Sequence, residues 1–161
     1  MRKLEPSPRT LCCRKASKGL AGARVASGAS GVCVDLLSRR SESFLQRPGW
    51  GEFRKILVGL REFCPPAKPV IVRTSWLPPD ILGECRRGPS RFVIRLNNEL
   101  RQDQAIETLL HEWAHALAWN YSLDRLARTP GVSPEVFDRA SHDEAWGCAY
   151  SRVWRVYLAL A

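Results

Sequence analysis

The sequence has no run approaching the roughly 20 uninterrupted apolar residues that a membrane-spanning helix requires, so no such helix is expected. Its first residues lack the continuous apolar stretch of a secretory signal. Six cysteines in 161 residues are too sparse for a disulfide-stapled miniprotein, and no two form a Cys-x-x-Cys pair. A zinc ribbon or thioredoxin-type site therefore finds no support. The thiols are expected to be reduced and the chain intracellular, with no membrane partner. Cys148, which falls in a helical apolar pattern, is expected to behave as a small core hydrophobe. There is no internal repeat, and histidine is scarce, at three residues.

Charge is present but unevenly placed. Residues 1–50 hold ten Lys and Arg against three acids, Glu5, Asp35 and Glu42, whereas residues 51–161 hold fifteen against thirteen. The basic excess thus belongs to the first third, and the rest is nearly balanced. Residues 1–48 are rich in Ser, Arg, Ala and Gly, with Val32 to Leu37 as their apolar cluster. This composition predicts a basic, disordered tail. A transit peptide has the same look, as does a basic arm that touches nucleic acid, and the residues do not choose among the three.

From residue 49 onward the pattern is that of a folded domain. Phe53, Ile56, Leu57, Leu60 and Phe63 recur at helical spacing, and Cys64-Pro65-Pro66 ends that helix. Val70-Ile71-Val72 reads as a strand. Gly83 to Pro89 reads as a polar turn. Arg91 to Leu96 alternates charged and apolar residues as a half-buried or edge strand does, and such an edge would pair with an extended peptide. A long helix begins near Arg101. Residues 120–141 read as a connection containing one short helix, and a last helix follows from about Asp143 to Leu160. Trp146, Tyr150, Val153, Trp154, Tyr157 and Leu158 lie on its apolar side, so the tryptophans of the last two long helices are expected in the core. The order predicts a small α+β domain.

Within the long helix stands His111-Glu112-Trp113-Ala114-His115. Helical residues four apart differ by only about 40° around the axis, so both imidazoles point off one face toward a single ion. Glu112 projects beside them, where it can meet a water. This is the His-Glu-x-x-His arrangement of zinc metallopeptidases, and imidazole nitrogens suit Zn²⁺ better than Mg²⁺ or Ca²⁺. A solvated surface pair is the plainer reading. It fits poorly with Leu110, Trp113, Ala114 and Ala116, since apolar neighbours imply burial and buried imidazoles need partners.

A catalytic zinc takes three protein ligands. His142, separated from His115 by 26 residues, is favoured as the third on softness and on its position at the start of the last helix. Asp143 and Glu144 are the alternatives. If His142 ligates, these acids either orient an imidazole or match the helix dipole. Tyr150, Arg152 and Tyr121 are candidate second donors for a developing oxyanion.

The segment from Ala105 to Ala116 resembles the active helix of the SprT-like zinc metallopeptidases, the group that includes the Spartan proteases. Asn97 after its strand is similar to the family's lead-in, and His142-Asp143-Glu144-Ala145-Trp146-Gly147 is similar to its His-x-x-x-aromatic element. Over residues 49–161 the resemblance implies a small zincin-like domain, with a short β-sheet packed on an active-site helix and a C-terminal helix. It also implies zinc on His111, His115 and His142, Glu112 as general base, and protein or peptide substrates. The chain lacks the zinc ribbon and DNA-binding module of many members. The reading from a different class is a non-catalytic, zinc-stabilised module that binds nucleic acid through its basic tail.

Overall fold

The computed structural model describes residues 11–14 and 47–161. In chain order the elements are β1 (Leu11–Arg14), α1 (Gly51–Phe63), β2 (Val70–Ser75), β3 (Ile81–Arg87), β4 (Phe92–Asn97), α2 (Gln102–Ala118), α3 (Tyr121–Arg128), α4 (Pro134–Ser141) and α5 (Glu144–Leu160). The architecture is mixed α and β, as the sequence predicts. No helix among the described residues is long and apolar enough to cross a membrane.

Three strands make the body of the sheet. β2 runs parallel to β4, with Val70 opposite Phe92 and Ser75 opposite Asn97. β3 runs antiparallel to β4, with Gly83 opposite Leu96 and Arg87 opposite Phe92. β1 adds antiparallel to the outer side of β3, giving the order β1-β3-β4-β2.

Several expectations change here. Residues 83–87 are not a turn but most of strand β3. Glu84 hides this, because a charged residue in mid-strand looks like loop. In the fold Glu84 is buried and opposes Arg95, whose Nη1 lies 2.6 Å from its Oε1, while Arg86 Nε lies 2.9 Å away. The pair compensates the cost of burying the carboxylate. β4 is flanked on both sides, so it is no edge and cannot itself accept an extended peptide. The arginines expected to blunt that edge include Arg95, which reaches across to β3 instead. Residues 120–141 hold two short helices rather than one. Asn120 caps α3 through Leu123 N–H at 2.9 Å, and Ser133 caps α4 with Pro134 in its first turn.

Within the stretch expected as a tail, Leu11–Arg14 pair with the sheet and the Arg47 guanidinium donates to the Asn98 carbonyl at 2.9 Å, and the rest of residues 1–46 lies outside the described residues. The apolar cluster Val32 to Leu37, and with it the choice between a transit peptide and a nucleic-acid arm, lies outside the described residues.

The core forms where α1, α2 and α5 meet the sheet. Phe53, Ile56, Leu57 and Leu60 bury one face of α1, while Ile94 and Leu96 supply the facing side of β4. Each such side chain contributes roughly 1.5–3 kcal/mol on leaving water. Trp113 of α2 is fully buried, and its Nε1 donates to the Cys64 carbonyl at 2.8 Å. That bond fixes α2 against the end of α1. Two glycines mark close approaches. A Cβ on Gly59 of α1 would run into the Leu160 side chain of α5, and one on Gly83 of β3 would lie 2.5 Å from Thr108 Cγ2 of α2. α2 therefore crosses β3 with almost no space between them.

α5 departs from expectation on its apolar side. Ala149 and Val153 are its buried residues. Trp146, Tyr150, Trp154 and Tyr157 stack in a row along the surface of the helix, with successive ring centroids 4.9, 6.1 and 4.9 Å apart. Trp154 is 38% and Leu158 66% exposed. Of the four tryptophans expected in the core, Trp113, Trp119, Trp146 and Trp154, Trp113 alone is fully buried, while Trp119 and Trp146 pack half-buried against the core. Cys148 is exposed, not a core residue, while Cys64 and Cys85 are buried free thiols.

Candidate metal centre

α2 carries His111 and His115 one helical turn apart on a single face, and their Nε2 atoms lie 3.0 Å apart. Ser141 ends α4 and Asp143 caps α5 through the Trp146 N–H at 3.0 Å. His142 sits at the corner between these helices as the C-cap of α4, rather than as the opening residue of α5. Because α5 packs against α2, that corner is delivered to the helix that carries His111 and His115. His142 Nε2 lies 3.2 Å from His111 Nε2, and one ligand atom from each of the three rings falls within 4.8 Å of the others. Tetrahedral Zn–N bonds of 2.0–2.1 Å put ligand nitrogens about 3.3 Å apart, so the spacing fits a small divalent ion with little rearrangement.

The protonation states fit as well. Burial, with His142 adding to it, pushes His111 down to about 4. Burial and then the other two rings push His115 well below its ordinary value, with the Ser141 backbone acting the other way. Both rings are thus neutral at pH 7, the form that binds a metal. His142 Nδ1 lies 2.9 Å from the Asp138 carbonyl oxygen. An N–H there donates to the carbonyl and leaves Nε2 as the free lone pair facing the other rings.

Glu112 is completely buried beside the two α2 ligands. Its charge helps to raise the Cys85 thiol at the centre of β3, behind burial and ahead of Glu84. Asp143 and Glu144, the alternative third ligands, are exposed and stand outside the histidine cluster. Asp143 serves as a helix cap instead.

Of the three candidate oxyanion donors, Tyr150 is the one beside the cluster, its ring centroid 6.3 Å from that of His111. Tyr121 is 82% exposed at the start of α3, and Arg152 is exposed on α5. Two contributors carry no site role in the sequence reading, although Trp146 belongs to the His-x-x-x-aromatic element. Trp146 forms a wall of the site, its ring centroid 5.0 Å from His111, 5.6 Å from His115 and 4.7 Å from His142. The four-residue spacing from His142 to Trp146 was the available signal, and the apolar count assigned the ring to the core. The second is the Asp138 carbonyl, a backbone group that no side-chain pattern reveals.

No protein-family model, curated protein or solved structure matches this chain. The functional reading accordingly stands on the geometry and on the residues themselves.

Proposed function

We propose that the chain is a zinc-dependent peptidase of SprT-like type, with a zincin-like arrangement of sheet and active helix. The observation that carries the reading is the meeting of three imidazole Nε2 atoms from two separate segments beside a fully buried glutamate. His111, His115 and His142 would hold the ion. Zn²⁺ bound by three protein ligands supplies Lewis acidity, which activates water near neutral pH and polarises a carbonyl.

The chain's own groups do the rest. Glu112 takes the proton from the attacking water and passes it to the leaving amine. Tyr150 donates to the oxygen on which charge develops. Trp146 covers the histidine rings and limits bulk water at the site. The Asp138 carbonyl holds the His142 ring in one tautomer. A purely structural zinc site has no use for the buried acid Glu112, and this favours hydrolysis over the non-catalytic alternative. The free buried thiols Cys64 and Cys85 support an intracellular setting.

The test is Glu112→Gln. Zinc content and melting temperature stay close to wild type, while hydrolysis of an unstructured peptide falls at least about 100-fold. Equal turnover by the two proteins removes Glu112 as general base and the peptidase reading with it.

A further inference from the structure

The outer side of β3 is covered by the chain's own first strand. β1 pairs there antiparallel, with Leu11 opposite Cys85, Cys12 opposite Glu84 and Cys13 opposite Gly83, and it slips register before Arg14 meets Ile81. It also packs against α2 and α4. Those are the helix that carries His111 and His115 and the helix that ends at His142. The residue opposite Leu11, Cys85, is the one whose thiol senses the Glu112 charge. A four-residue strand is held mainly by backbone hydrogen bonds, and such bonds serve any extended peptide equally well. A peptide added to this edge in place of β1 would lie against α2 and α4, the helices that carry or end at the three histidines. β4, flanked on both sides, offers no such place.

We propose that Leu11–Arg14 is an internal competitor: it occupies the strand-addition edge on which an extended polypeptide is presented to the metal centre, and a substrate must displace it. The proposal rests on the peptidase reading for the meaning of the groove, but not for the competition itself. As part of the same chain, β1 competes at an effective concentration on the order of 1 mM. An internal strand with an affinity between about 0.1 and 1 mM then weakens an incoming peptide by about two- to tenfold. The partner is any extended segment, recognised through its main chain and with little sequence preference.

The experiment uses the full chain carrying Glu112→Gln, so that no peptide is consumed, with and without the pair Cys12→Pro and Cys13→Pro. Of two successive strand residues one N–H faces the neighbouring strand, and proline removes it whichever one it is. The probe is a fluorescein-labelled decapeptide with the sequence of residues 8–17, followed by anisotropy and by amide hydrogen exchange. The expected result is two- to tenfold tighter binding to the proline variant. Faster exchange of β3 amides in that variant alone should be reversed by the peptide. Equal affinity, or β3 exchange unaltered by the prolines, overturns the proposal. Should the double variant fail to fold, the Glu112→Gln chain is saturated with the decapeptide instead. Competition then exposes the amides of Leu11–Arg14 while those of β3 stay protected, and continued protection of both overturns it. If the prolines tighten binding but wild type cleaves no peptide, the hydrolytic reading fails and the competing strand stands. If wild type cleaves and the prolines change nothing, the reverse holds.

Discussion

A single ring decides whether the histidine cluster could hold a metal ion. His111 and His115 follow from helix geometry, since four-residue spacing puts them on one face whatever the rest of the chain does. The third ligand cannot be settled that way, because His142, Asp143 and Glu144 are consecutive and offer comparable donors. The structure separates them by direction. His142 turns inward with Nε2 3.2 Å from that of His111, while Asp143 turns to the Trp146 N–H and caps α5. His142→Ala is therefore expected to weaken zinc binding by more than about 100-fold, above what is usual for loss of an outer-shell partner. Asp143→Asn, which keeps the cap, should retain full zinc stoichiometry. Metal analysis of both variants checks this. Zinc loss from the Asn variant alone would move the ligand role to the carboxylate.

Among the elements, the long helices and the strands β2 and β4 are legible in the sequence, whereas β3 and the division of residues 120–141 into two helices are not. α1 and α2 carry long 3.6-residue patterns with a proline stop or a strong apolar stripe, and the structure places both within about a residue or two of expectation. β3 was misread because its logic is not local. Glu84 is tolerable only opposite Arg95, and Gly83 is required only because α2 crosses there. Gly83→Ala drives a Cβ to 2.5 Å from Thr108 Cγ2 and 3.2 Å from the Arg95 carbonyl, and overpacking of this kind costs about 1–3 kcal/mol. Thr108→Ser removes the clashing methyl and keeps the hydroxyl that donates to the Gln104 carbonyl at 2.7 Å. In urea denaturation the double variant should recover much of the loss, a coupling that independent sites do not show. Additive effects would mean that α2 and β3 do not meet at this point. The aromatic row of α5 is only partly covered: Trp146, Tyr150 and Tyr157 pack half-buried against the core, whereas Trp154 and Leu158 are exposed. Periodicity identifies the apolar side, but only packing shows which part of it is covered.

For the molecule as a whole, the histidine cluster couples stability to pH. In the metal-free chain His111 titrates at about 4 and His115 also well below the ordinary 6.5. The unfolded chain therefore binds protons between about pH 6.5 and 4 that the folded chain refuses, and stability falls as pH drops through that window. Above pH 6.5 both states are neutral and these rings contribute no slope. Each ring adds up to about 1.4 kcal/mol per pH unit within the window. Denaturant unfolding of the chelator-treated protein from pH 7.5 to 5 should show this decline, and it should be smaller in His111→Ala. A flat profile would mean that the rings are solvated in the folded state. The sequence by itself determined the α+β composition, the helical pair of imidazoles, and the glutamate between them, because each follows from spacing along one element. The tertiary structure alone decided which later residue completes the cluster, that β3 is a strand, and that Leu11–Arg14 closes the edge beside it. Those outcomes depend on contacts between segments far apart in the chain, for which no local pattern of side chains carries the information.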